Sequence, residues 1–239
     1  MQRYFVSFQS NDKIVIDKDD IFHIKNVMRM KVGDRFEINN DGQILLAEIT
    51  NLMNTFEFKI IEKRDENHEL NGYVRLLYCL PKGEKTELVI QKAVELGVSE
   101  VVLINSTRSI AKITKENKDK KIIRFNKIIK EASEQSKRTK LMKLDEVITF
   151  KELNRFVDDV NLIAYENTDF TSKDLNNMLS NLKNKNINVI IGAEGGITKE
   201  ELETAKSLGY KEISLGKRIL RSETACFYIL SLLSFYLDN

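Results

Sequence analysis

The chain has 239 residues, 42% hydrophobic and 31% charged, with Lys+Arg 38 against Asp+Glu 36. This balance suits a folded protein of one large or two smaller domains and excludes a disordered one. No apolar run reaches the length of a membrane span, the N-terminus lacks the apolar core of a signal peptide, and two cysteines with two histidines are too few for a disulfide framework or zinc site, so a cytoplasmic protein with no membrane and no metal partner is expected.

Residues 1–72 read mostly as strands. Arg3 to Phe8, Lys13 to Ile16, Arg35 to Ile38, Gln43 to Ile49 and Thr55 to Ile61 are rich in β-branched and aromatic residues. Asn40-Asp41-Gly42 marks a hairpin turn. One helix interrupts, capped by Asp17, with Ile21, Ile24, Val27 and Met28 at helical spacing. Short strands around one helix suggest a small β-barrel over residues 1–70, closed off by the polar run Lys63 to Gly72.

From residue 73 onward strands and helices alternate. Val74 to Leu80 is a strand, and Glu84 to Leu96 is a helix ending at Gly97. Val101 to Asn105 is the next strand, and a basic helix covers Lys118 to Lys137. Asn161 to Glu166 and Ile187 to Gly192 are apolar enough to be buried strands. Thr198 to Glu201 forms a capping box, Gly209 is a helix cap, Glu212 to Gly216 is a last strand, and a final apolar helix starts near Ser222. The alternation predicts an α/β domain over residues 73–239 with a covered parallel sheet.

Charge is unevenly spread. Residues 1–72 carry 10 Lys+Arg against 13 Asp+Glu, whereas Lys112 to Lys140 holds eleven basic and four acidic residues. Such a stretch either meets phosphates or is a solvated helix face.

Five of the ten glycines fall between Gly192 and Gly216. Gly192-Ala193-Glu194-Gly195-Gly196 follows a buried strand and precedes a capped helix, the place where α/β sheets bind ligands. Neither the dinucleotide fingerprint nor the P-loop is present. Glu194 argues against a phosphate cradle and suits a ligand with hydroxyl or amine donors or a positive charge, and a plain tight turn is the alternative. Ser214 to Ala225 repeats the pattern of strand, glycine and helix start, with Arg218 and Arg221 on the loop. Two such loops on neighbouring strands would enclose one ligand.

The pair G-A-E-G-G and L-G-K-R-I-L-R-S-E-T-A resembles the signature of the SPOUT methyltransferases. MQRYFV, HIKNVMRMKVGD (His23 to Asp34), LPKGEKTELVIQKAVELGV (Leu80 to Val98) and EASEQSKR (Glu131 to Arg138) match, in order, the family that methylates N3 of a uridine in 16S ribosomal RNA. The family commonly has proline where this chain has Ala193. The resemblance implies an N-terminal PUA-like β-barrel that helps hold RNA and a C-terminal SPOUT domain with a trefoil knot. It also implies S-adenosylmethionine as cofactor and a homodimer acting on 16S ribosomal RNA or the small ribosomal subunit. A ribose 2′-O-methyltransferase and a non-catalytic RNA-binding assembly factor are the alternatives. By resemblance, Ile191, Gly192, Glu194, Gly195, Gly196, Leu215, Gly216, Ile219, Leu220 and Thr224 are the cofactor-binding residues. Arg221 is the candidate cation for a uracil anion, and Glu194 either holds the cofactor or takes a proton. Candidates for RNA are Arg3, Arg29, Lys82, Arg124 and Arg138. The acidic total of the first domain requires Arg3, Lys25, Arg29, Lys31 and Arg35 to gather on one face.

Overall fold

The computed structural model describes residues 1–8, 14–53, 55–83, 85–166, 172–180 and 182–238. It divides into two compact units, Met1–Glu69 with Ser133–Leu141, and Leu70–Ala132 with Met142–Asn239.

The first unit is a five-stranded sheet in the order β2-β1-β3-β4-β5, formed by β1 (Arg3–Phe8), β2 (Ile14–Val15), β3 (Arg35–Asn40), β4 (Gln43–Asn51) and β5 (Glu57–Arg64). β1 runs parallel to β3, and the other pairs are antiparallel. The β3–β4 turn has Asp41 at φ 48° and Gly42 at φ 91°, the two left-handed residues that a type I′ hairpin needs. Between β2 and β3 lie α1 (Lys18–Phe22) and a π-helical turn over His23–Val27. Asp17 accepts from the Asp20 N–H at 2.8 Å, which is the expected cap. Of the expected apolar stripe only Ile24 is buried, in a core with Tyr4, Phe36, Ile38 and Leu45, while Val27 and Met28 are exposed. His23 lies 2.9 Å from the Tyr4 hydroxyl. Residues 133–141, expected in the second domain, group with the first unit. Arg138 explains why: its guanidinium grips Glu69, whose carboxylate also accepts from the backbone N–H groups of Thr139 (2.8 Å) and Lys140 (3.0 Å).

The second unit holds a six-stranded sheet, all parallel, in the order β11-β9-β10-β6-β7-β8. Its strands are β6 (Tyr73–Cys79), β7 (Glu100–Ile104), β8 (Val147–Ile148), β9 (Val160–Ala164), β10 (Asn186–Ile191) and β11 (Lys211–Ile213). Among the described residues five helices accompany them: α2 (Lys85–Glu95), α3 (Lys115–Gln135), α4 (Ser172–Leu179), α5 (Lys199–Ser207) and α6 (Ser222–Asp238), with a 3₁₀ turn over Phe150–Arg155. Strand alternation splits the core. Leu76, Tyr78, Val189 and Ile191 pack with α2 and α6, while Leu77, Cys79, Ile163 and Ile190 pack with Phe150, Leu202 and Ala205. Apolar burial on both faces is what a parallel sheet requires. The capping box at Thr198 and Glu201 forms as expected, and Gly97 (φ 84°) and Gly209 (φ 88°) end their helices. No helix of the described residues is long and apolar enough to cross a membrane. Among them no group of His, Cys, Asp or Glu could hold a metal ion.

Candidate active site

Because the strands are parallel, the loops after β9, β10 and β11 leave the sheet at one edge. There they surround a cavity of about 600 Å³, within the usual range for small-ligand pockets. The loops after β10 and β11 are the two glycine segments. They follow strands separated by β9, not neighbouring strands as expected, and β9 contributes a third wall, Ala164, Tyr165 and Glu166.

The β10 loop turns tightly. The Gly196 N–H donates to the Ala193 carbonyl at 2.9 Å, and Gly196 sits at φ 71°, a conformation that suits glycine. Ala193, where the resembling family has proline, is 7% exposed and holds this turn. The two glycine loops are joined directly: Ser222 Oγ at the start of α6 donates to the Gly192 carbonyl at 2.5 Å and lies 3.3 Å from the Tyr78 hydroxyl.

Glu194 points to a cluster at the start of α2. Its carboxylate accepts from Lys85 Nζ at 2.9 Å and from the Lys82 N–H at 3.2 Å. Burial alone would raise its pKa, but the Lys85 hydrogen bond and nearby backbone N–H groups outweigh that and hold it below the usual carboxylate range. Lys85 Nζ also lies 3.4 Å from Glu223 Oε2, so one ammonium ties the first glycine loop to the first turn of α6.

All but one of the expected cofactor-binding residues line this cavity, together with Arg221. The exception is Thr224, which is exposed and absent from the lining. Helix phase explains it: Ser222 and Ala225, one turn apart, face the cavity, and Thr224 between them turns away. Lys217, Arg218 and Arg221 are exposed, and no hydrogen bond or ion pair joins their side chains to another described residue. Arg108, from the loop after β7, also lines the cavity. Neither Arg108 nor the β9 wall was foreseen, since no local pattern marks a residue that reaches a site only through the fold.

The RNA candidates divide. Arg3 is 1% exposed, with Nε on Glu37 (3.0 Å), Nη2 on Glu66 (2.6 Å) and Nη1 on the Lys137 carbonyl (2.7 Å). Arg138 is 3% exposed and bound to Glu69. Both guanidinium groups are consumed inside the first unit, so the expectation that they face RNA is corrected: they are structural. The proposed gathering of five first-domain cations loses Arg3 to burial, and Arg35 pairs with Glu48 at 3.4 Å. Arg29, at φ 52°, and Lys82 are exposed, while Arg124 is exposed and paired with Glu87 at 2.8 Å.

Known proteins resemble this chain in sequence and fold. A model described as an RNA methyltransferase domain matches residues 68–234, and one described as an RNA methyltransferase PUA domain matches residues 16–61. The ribosomal RNA small subunit methyltransferase E of Bacillus subtilis (strain 168) is 33% identical, over 98% of this chain and 96% of its own. Its namesake from Mesomycoplasma hyopneumoniae is also 33% identical, over 97% of this chain and 98% of its own. A solved structure from Legionella pneumophila, described as a methyltransferase in complex with the bound cofactor SAM, aligns with a TM-score of 0.87 at 28% identity. That alignment covers 98% of this chain and 96% of the other. With one model spanning most of the second unit and relatives aligned over nearly every residue, the chain belongs to the RNA methyltransferase family that includes the ribosomal RNA small subunit methyltransferases E.

Proposed function

We propose that this protein methylates N3 of a uridine in 16S ribosomal RNA, with S-adenosylmethionine bound in the cavity at the ends of β9, β10 and β11. The observation that carries the reading is the cavity wall itself. Its backbone turns pack closely on their neighbours: a Cβ on Gly195 would lie 2.9 Å from Arg108 Cβ, and one on Gly192 would lie 3.1 Å from Ile197 Cγ1. Ile191, Leu215, Ile219 and Leu220 supply apolar surface for a purine, and exposed backbone groups supply hydrogen bonds. Glu194, already ionised and held by Lys85, suits the positive charges of this cofactor better than the role of a proton acceptor. Thr224 is not part of this proposal.

S-adenosylmethionine, when bound, supplies a methyl group on a sulfonium that an electron pair displaces in line. The task left to the protein is to make that pair available. N3 of uracil is protonated at neutral pH, and its lone pair becomes available when that proton passes to solvent water. The free guanidinium of Arg221, on the cavity wall, stabilises the resulting anion, with each pKa unit of stabilisation worth about 1.4 kcal/mol. Lys217 and Arg218 on the same loop hold the RNA backbone, with Arg29 and Lys82 as further contacts. Residues 1–70 act as a PUA-like RNA-binding domain and residues 73–239 as the SPOUT catalytic domain, knotted and dimeric, in the cytoplasm. The exposed Tyr228 and Phe235 on α6 suit a dimer contact.

The test is mass spectrometry of 16S ribosomal RNA, or of small subunits lacking the modification, after incubation with protein and S-adenosylmethionine. A methyl group on the uracil ring at N3 is expected. A methyl group on ribose, detected as resistance to alkaline cleavage, or no methylation by protein that binds the cofactor, would overturn the reading.

A further inference from the structure

The loop after β7 is built as a rigid brace. Asn105 closes its base: the Asn105 amide donates to the Ile113 carbonyl at 2.8 Å and accepts the Ile113 N–H at 3.0 Å. Inside, the buried Ser106 and Ser109 hydroxyls lie 2.7 Å apart, and Lys112 Nζ donates to the Ser106 carbonyl. Residues 105–113 thus form a compact loop whose ends are pinned by its own side chains.

This brace grips the glycine turn at two points. Arg108 Nη1 donates to the Gly195 carbonyl at 2.8 Å and lies 3.5 Å from the Ile197 carbonyl. On the other side, the buried Glu201 carboxylate accepts the Thr107 N–H at 2.7 Å and the Thr198 N–H at 3.0 Å. The turn therefore has its last residues fixed between a cation and a carboxylate belonging to other elements. Left alone, a short glycine turn would sample many backbone conformations.

We infer that Arg108 is a positioning residue of the cofactor site: it holds the Gly195–Ile197 turn in its binding conformation through the backbone carbonyls, before any ligand arrives. The inference rests on the reading of the cavity as the S-adenosylmethionine site. If losing this clamp leaves the turn competent about one-tenth of the time, the apparent Kd rises about tenfold, because binding must first select the competent state.

The experiment compares the wild-type chain with Arg108→Ala and Arg108→Lys. Hydrogen–deuterium exchange on cofactor-free protein reads the order of residues 192–198, calorimetry reads S-adenosylmethionine affinity, and thermal unfolding reads global stability. Faster exchange in that segment for Arg108→Ala is expected, with Kd weakened about tenfold, Tm nearly unchanged, and substantial recovery in Arg108→Lys, whose ammonium keeps a donor for the Gly195 carbonyl. Unchanged exchange and affinity in Arg108→Ala would overturn the inference while leaving the cofactor site standing. A large fall in Tm, shared by both variants and tracking the affinity loss, would also overturn it, as a merely structural role. Wild-type protein that binds no S-adenosylmethionine would instead defeat the cavity assignment, with the exchange result still reporting on the clamp.

Discussion

Adding one methyl group at Gly195 tests the cavity assignment directly. The new Cβ would stand 2.9 Å from Arg108 Cβ and 3.4 Å from the Arg108 carbonyl oxygen. The first distance must open by about half an ångström to reach the 3.4 Å at which ordinary contact begins. Because the obstacle is a Cβ, no rotamer change removes it, and either the brace or the glycine turn has to move. Overpacking of this kind costs about 1–3 kcal/mol. Arg108 and Gly195 are exposed, so little of that cost falls on the hydrophobic core. It falls on the turn, and the Arg108–Gly195 hydrogen bond is stretched with it. Gly195→Ala is therefore expected to weaken S-adenosylmethionine binding by about tenfold to a hundredfold, the equivalent of roughly 1.4–2.7 kcal/mol. Gly195→Val, with two further carbons, should abolish detectable binding while the protein stays folded. Calorimetric titration measures the affinity, and thermal unfolding checks that the fold persists. Wild-type affinity in Gly195→Ala would show that the close approach at Gly195 does not shape the binding site.

Three other outcomes follow from the same structure. Arg221→Ala should lower the methyl-transfer rate at saturating cofactor by about a hundredfold, as loss of one charge-stabilising donor does, and an unchanged rate in a radiolabelled methyl-transfer assay would remove Arg221 from its assigned role. Arg3→Met should destabilise the protein by about 1–3 kcal/mol, because the buried Glu37 keeps Lys137 but loses the Arg3 guanidinium, and retention of wild-type stability in urea unfolding would contradict the structural assignment. Acid should destabilise the chain through Glu37 and Glu69. Burial would raise both carboxyls, but Lys137 and Arg3 at Glu37, and Arg138 with the Thr139 and Lys140 N–H groups at Glu69, outweigh it and hold both below their ordinary values. The native state then binds fewer protons than the unfolded one, so this stability is complete above the ordinary carboxylate range near about 4.3 and is lost as pH falls through the lowered values. Urea midpoints should decline over that window less steeply in Glu69→Gln than in wild type, and parallel pH curves would refute it.

What could be read from the sequence was whatever depends on near neighbours in the chain. The Thr198–Glu201 box, the Asp17 cap, the Asn40–Gly42 hairpin and the glycine stops at Gly97 and Gly209 each satisfy backbone groups within a few residues, and each appears in the structure. Apolar runs such as Ile187 to Ile191 also declare themselves, because both faces must be covered. β8 escaped notice because it is only two residues long and exists through pairing of Val147 and Ile148 with Leu103 and Ile104. Arg3 and Arg138 read as surface cations because their carboxylates lie 34 and 69 residues away in the chain. Arg108 was missed for the same reason, since its partners are carbonyls 87 and 89 residues distant. Thr224, a cofactor-binding residue by resemblance, is exposed and off the cavity wall, because the direction a helical residue faces depends on the helix phase.

Strand order supplies the remaining step from fold to function. β10 lies between β6 and β9, so the glycine turn after it emerges in the middle of the sheet edge and not at its margin. Walls can then rise on both sides of it: the β7 loop through Arg108 on one, the β9 and β11 loops on the other. Among the described residues lining the cavity, Arg108, Lys199, Lys217, Arg218 and Arg221 face only Glu166 and Glu194, and Glu194 is already matched by Lys85. A chain that is nearly neutral overall, at +2, therefore concentrates positive charge at one opening. Concave placement strengthens that field relative to the same charges on a convex surface. The acidic N-terminal residues do not contradict an RNA substrate, because the attraction is set by the charges at the opening and not by the total. In α3, whose basic stretch is conspicuous in sequence, Arg124 is paired with Glu87, as on an ordinary solvated helix.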